Sequence, residues 1–206
     1  DNDTLSVTSA MVATTLTYTN ISGIEQVTVS DTLVNSVTLS QVQAGIHTVN
    51  LAGAQGANTI TFDSGVAGTV ASTLAPGGSI VVASAGTSTT DQITLTNLAT
   101  ANLFTGVNVT GTGVENLVIN TTSTTAGTAQ VAGIVTVTPS TLSSGQKLTL
   151  IGTSDFTATQ VATTGTGLFT IDASALTDTG GVSTGSFVFT IGATTAMGTG
   201  GTQFIT

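Results

Sequence analysis

Two eight-residue stretches constrain this chain more than anything else in it. Gly23-Ile24-Glu25-Gln26-Val27-Thr28-Val29-Ser30 and Gly113-Val114-Glu115-Asn116-Leu117-Val118-Ile119-Asn120 share one pattern: Gly, a branched apolar residue, Glu, an amide, then residues suited to a strand. Glu25 and Glu115 are the only glutamates in the chain, and they occupy the same place in both copies. The flanks match too, since Asp3-Thr4-Leu5-Ser6-Val7-Thr8 precedes the first copy as Asp91-Gln92-Ile93-Thr94-Leu95-Thr96 precedes the second. A unit that recurs in this way buries its apolar side only by stacking on a neighbour, so the repeat points to an elongated pile of β units.

The residues between the copies favour the same answer. Thr supplies 48 of 206 residues, and Thr, Val and Ile are stiff at χ1 and prefer the pleated strand to the helix. Period-two alternation predicts strands around Leu5 and Val7, Leu16 and Tyr18, Val27 and Val29, and over residues 37–39, 46–51, 58–62 and 80–82. In the second half it predicts them at the start of the Asp91 flank, before Val109, in the Gly-Val-Glu copy, and over residues 134–138, 148–151, 168–172 and 187–191. Residues 65–79 read as small and flexible, with a turn at Pro76-Gly77-Gly78. Residues 121–130 read as a loop. Ser9 to Thr15, Leu98 to Phe104 and Ser174 to Leu176 are the places where a turn of helix fits, and under a tenth of the chain is expected to be helical.

Three all-β architectures compete: a right-handed parallel β-solenoid, tandem antiparallel β-sandwiches, and a single irregular sandwich. Short strands, small-residue turns and the absence of Trp favour the solenoid, because a sandwich core usually holds a large aromatic anchor. Coils of roughly 20 residues would give about ten of them, with Thr ladders facing outward. The repeat divides the chain into a first β block at 1–88 and a second at 89–206, continuous with the first.

Charge narrows the partners. Only 5% of residues are charged, the net charge is −9, and Lys147 is the one Lys or Arg. One cation cannot track a phosphate backbone, so nucleic acid is disfavoured and not expected as a partner. An anionic membrane surface is equally disfavoured, and no apolar run is long enough to span a bilayer as a helix, so membrane insertion is not expected. With no cysteine there are no disulfides or thiolate metal sites. Asp1 is an unusual first residue, so the chain is expected to be a processed form or a piece of a longer one.

The acids are the groups with chemistry to offer. Most stand at predicted strand ends or turns, as Asp63 does after Phe62, Asp172 after Ile171 and Asp178 before Gly180. Carboxylates in turns, together with backbone carbonyls, suit a hard divalent cation such as Ca2+. The competing role is capping, in which each Asp binds backbone N–H groups of its own turn. Asp3, Asp63, Asp91, Asp172 and Asp178 are the candidate ligands, with Asp172 and Asp178 close enough in sequence to share a loop. As a general acid and base the same pair would suit a polysaccharide-active β-helix, but the chain lacks the basic and aromatic residues that hold sugars, and no enzyme activity is expected. His47 has no second histidine to make a zinc site. Lys147 reads as a turn charge, with an acid on a neighbouring subunit as its alternative partner. The phenylalanines read as core, with Phe104 or Phe204 open to subunit contact.

Taken together, the Gly-branched-Glu strands, Phe169-Thr170-Ile171-Asp172-Ala173-Ser174-Ala175-Leu176-Thr177 and the Asp-led Thr/Leu strands resemble the calcium-dependent bacterial surface-layer proteins related to the hemolysin-type (RTX) repeat proteins. The full glycine-rich nonapeptide of that family is missing: Asn58 and Gln203 stand where it would place an acid. The resemblance implies a secreted structural coat at the bacterial cell surface. Such a coat self-assembles into a lattice or filament, is stabilised by calcium and can contact cell-surface polysaccharide. The competing reading is a binding module, an adhesin or fibre segment of Ig-like sandwiches, whose two domains would separate near residue 88.

Overall fold

The computed structural model describes residues 2–12, 21–73, 79–97, 104, 107–122, 129–177, 187–191 and 200–206. In chain order the strands are β1 (Thr4–Val7), β2 (Gln26–Val29), β3 (Val37–Thr38), β4 (Thr48–Leu51), β5 (Thr59–Phe62), β6 (Ala67–Ser72), β7 (Ile80–Ser84) and β8 (Gln92–Asn97). They continue as β9 (Val107–Thr112), β10 (Asn116–Asn120), β11 (Gln130–Thr138), β12 (Gln146–Gly152), β13 (Phe156–Thr163), β14 (Phe169–Leu176), β15 (Phe187–Ile191) and β16 (Thr202–Ile205). They form two sheets. The first has nine strands in the order β1-β2-β4-β6-β8-β10-β12-β14-β16, and the second has seven in the order β15-β13-β11-β9-β7-β5-β3. From β2 onward the chain alternates between the sheets, and every pairing is parallel. This is a parallel β-solenoid, not a pair of antiparallel sandwiches.

Parallel stacking without hairpins places like residues above like. On the inner face of the first sheet, Leu5, Val27, Val49, Val70, Leu95, Ile119 and Leu150 form one column. From Val27 to Leu150 this column is at most 4% exposed. Subtracting neighbouring residue numbers gives steps of 22, 22, 21, 25 and 24, then 31 from Ile119 to Leu150. Coils are therefore somewhat longer than 20 residues, so there are fewer than the ten expected, and among the described residues the first sheet has nine rungs. On the outer face Thr4, Gln26, Thr48, Thr69, Thr94, Val118 and Thr149 are in register, the Thr ladder that alternation predicts.

Several expectations need correction. Residues 67–72, read as flexible, form β6. A Cβ at Gly68 would lie 2.8 Å from the Phe62 ring, so glycine there makes room for a fully buried aromatic. The Val37 strand ends at Thr38, and Leu39–Gln41 turns into a 3₁₀ helix. Ser174 to Leu176 belongs to β14 instead of a helical turn. β13, with Phe156, Ala158 and Val161 turned inward, was not anticipated. Phe104 is fully buried against Phe156, edge to face at 6.3 Å, so it is core and not a contact patch. Phe204 does lie on the surface, 45% exposed. Leu16, Tyr18 and Pro76-Gly77-Gly78 lie outside the described residues, as do most of Leu98 to Phe104 and the side chains of Phe187 and Phe189.

One helical turn does occur where expected. α1 (Ser9–Val12) follows β1 and takes the place that a strand of the second sheet fills in later coils. It buries Ser9 and Val12 and leaves Met11 outside. Val12 lies with Val27, Val29, Leu33 and Leu39 around one small apolar gap, so the helix covers the first coil's core.

Candidate functional site

The acids gather along the turns, where they join one coil to the coil before it. Asp31 accepts the Ser9 N–H at 2.6 Å, and the Ser9 hydroxyl accepts the Val34 N–H at 2.7 Å. Asp63 accepts the Gly45 N–H at 3.3 Å. Asp91 accepts the Gly65 N–H at 2.6 Å. Each bond reaches back about one coil, 18 to 26 residues along the chain. A parallel turn leaves N–H groups that no strand partner satisfies, and a carboxylate from the next coil is a strong acceptor for them. The capping role foreseen for these acids is therefore met between coils, not within one turn.

The duplicated glutamates do the same work. Glu25 accepts the N–H of Asp3 at 2.8 Å, and Glu115 accepts the N–H of Asp91 at 3.2 Å. In both copies the Asp carbonyl in turn accepts two N–H groups: those of Glu25 and Gln26 at Asp3, and those of Glu115 and Asn116 at Asp91. The Glu carbonyl then accepts from the following coil, from His47 and Thr48 in the first copy and from Lys147 in the second. Gly23 and Gly113 supply the left-handed turn before each Glu, with φ of +74° and +66°. The shared pattern is thus a brace that locks three successive coils, and its signal in the sequence was the Asp and Glu recurring together.

The second copy is the more deeply built. Glu115 is 5% exposed, and its other carboxylate oxygen accepts both the N–H and the hydroxyl of Ser140, at 2.9 and 2.7 Å. The Ser140 hydroxyl also lies 2.5 Å from the Ser88 carbonyl. Asp91 is 1% exposed, and its second oxygen takes the Ser84 hydroxyl at 2.8 Å. Burial of these carboxyl groups is tolerated here because each oxygen has a donor.

Asp172 differs from its expected place. It lies within β14, facing outward, and not at a strand end. One oxygen meets the Lys147 ammonium at 2.7 Å, and the other accepts the N–H and hydroxyl of Ser174 at 3.1 and 2.7 Å. The Lys147 bond, then the Ser174 hydroxyl, hold its carboxyl well below the usual range, at about 2. Lys147 is likewise in β12 and not in a turn, and its acid partner is on the next rung of the same chain. Such a partly exposed surface pair contributes about 1 kcal/mol. Beside it the outer face carries a polar row, in which Asn116 donates to Gln92 at 2.7 Å and accepts from Thr149 at 2.8 Å.

Of the five candidate ligands, Asp178 lies outside the described residues. Asp3, Asp63, Asp91 and Asp172 stand on four different coils. Among the described residues no three His, Asp or Glu side chains group closely enough to hold a metal ion. Asp91 and Asp172 already have donors on both oxygens. His47 flanks β4, with its Nδ1 3.1 Å from the Thr48 hydroxyl. No helix of the described residues is long and apolar enough to cross a membrane. Family models, curated proteins and solved structures offer no match to the chain.

Proposed function

We propose that this chain is a structural segment of a secreted bacterial surface coat, a stiff β rod that associates with copies of itself. The observation that carries the proposal is the use made of the acids. Residues able to do chemistry are spent on joining coils, as Asp31, Asp63, Asp91, Glu25 and Glu115 each hold a backbone N–H of an earlier coil. An interior gap beside Leu51, Val70, Ile80 and Leu95 is mostly apolar and has room for about one water, which suits packing and not a substrate. A protein of this kind builds material and does not transform molecules.

Calcium enters the proposal as a weakly held counterion and not as the occupant of a preformed cage. Asp3 and Asp63, in an exposed and a half-buried turn, are its proposed points of contact. Binding there would offset part of the −9 charge and let copies approach. The test is sedimentation of the purified chain with millimolar calcium and with chelator, alongside thermal melting. Larger species with calcium, and a lower melting temperature with chelator, are expected. If chelation alters neither, calcium has no part in the assembly.

A further inference from the structure

We infer that the outer face of the seven-stranded sheet is where one copy meets another. This inference rests on the coat reading and adds the surface that such a coat would use. The starting observation is where charge is missing. None of the residues in β3, β5, β7, β9, β11, β13 and β15 is charged, although the chain carries −9. Among the described residues the other acids lie between strands, and the strands of the nine-stranded sheet carry one charged pair, Lys147 and Asp172. Covering this face desolvates no charged side chain, whereas covering the other would bury the Lys147–Asp172 pair.

Its side chains suit a partner of the same kind. Thr38, Thr61, Ala83, Thr112 and Thr138 form one outward column, and Thr59, Val81, Thr110, Thr136 and Ala162 form the next. Seven of these ten are Thr and the rest are small or branched apolar residues. Ile134 of β11 and Val188 of β15 add exposed apolar side chains, 38% and 60% exposed. Threonines, stiff at χ1, give a regular surface of methyls and hydroxyls on a parallel sheet at little entropic cost. A second such surface can interdigitate with it, as paired sheets do about 10 Å apart.

Area sets the strength of the contact. Seven strands ~4.8 Å apart, each showing about five residues at ~3.3 Å, present on the order of 600 Å² per copy. A stable interface buries about 800 Å² per partner. The face is thus suited to weak association that gains force by repetition, as a lattice requires, and not to a tight isolated dimer.

The experiment compares matched pairs of threonines on the two sheets. Thr110 and Thr136 are lateral neighbours on the proposed face, and Thr69 and Thr94 are lateral neighbours on the other sheet, all four half-buried. Both double variants to Glu add the same charge. Sedimentation velocity over a concentration series in calcium should show association of the wild type and of Thr69→Glu/Thr94→Glu. The Thr110→Glu/Thr136→Glu variant should lose at least about tenfold in association constant, because two copies would bring like charges together. Circular dichroism verifies folding, and Ile134→Glu, at an exposed position, repeats the test should the double variant unfold. Association of the Thr110/Thr136 variant at wild-type strength, or equal loss by both double variants, overturns this face while leaving the coat reading intact. A wild-type chain that stays monomeric at every concentration overturns both.

Discussion

At the scale of the residue, the two glutamates separate what is shared by the repeat from what each copy adds. Glu25 is half-buried and accepts the Asp3 N–H, whereas Glu115 is buried and accepts from Asp91 and twice from Ser140. Removing an acceptor from the buried Asp91 N–H and the half-buried Ser140 donors leaves them unsatisfied, so Glu115→Ala is expected to destabilise by about 2–4 kcal/mol. Glu25→Ala, whose Asp3 partner turns to water, should cost about 1 kcal/mol. Denaturant unfolding of the two variants measures the difference, and equal costs would show that the Ser140 contacts add nothing. That Glu25 and Glu115 matter was readable from their matching positions. That they act as braces was not, because the N–H groups they hold belong to residues 22 and 24 positions earlier and are brought near only by stacking. The same holds for Asp172. Its motif suggested a strand end, but the strand runs on to Leu176 and Lys147 of the previous rung becomes its partner.

Elements are set by how much room the turns and columns leave. Gly23 and Gly113 both have positive φ, and any L side chain there meets the left-handed penalty of about 1–2 kcal/mol. They differ in their surroundings. A Cβ at Gly23 meets nothing within 4 Å, whereas one at Gly113 would lie 2.6 Å from the Ser84 carbonyl oxygen. Gly23→Ala is therefore expected to show the conformational penalty alone, and Gly113→Ala about 3 kcal/mol or more, because β7 or the turn must also shift. Thermal melts of the two variants test this, and a Gly113→Ala chain no weaker than Gly23→Ala would mean that the turn relaxes freely. Strand existence was legible where Val, Ile or Leu alternated with Thr or Asn, as in β4, β5 and β8, and in β10 through the repeat. It was not legible in β6, where Ala67, Gly68 and Ala71 have weak strand preference and pairing with β4 and β8 decides the conformation. In β13, Thr and Ala at every second place diluted the signal of Phe156 and Val161.

Across the whole molecule, each coil touches mainly the coils beside it, and stability is close to a sum of such contacts. The point that separates a continuous stack from two blocks is the turn near residue 88. Six residue pairs join β6 to β8 and four join β7 to β9 across that point, so both sheets run through it. Side chains cross it as well: Asp91 holds the Gly65 N–H, and the Ser140 hydroxyl reaches the Ser88 carbonyl. Cutting the chain there removes one covalent link and none of these ladders. A protease site inserted after Thr89 should therefore give two fragments in denaturant that still sediment as one particle in native buffer. They should part only when the ladders melt, because rejoining them requires no new contact and parting them exposes two full edges of unpaired backbone groups. Fragments that drift apart in native buffer, each still folded, would instead make the β6–β8 and β7–β9 contacts a weak seam between two independent units.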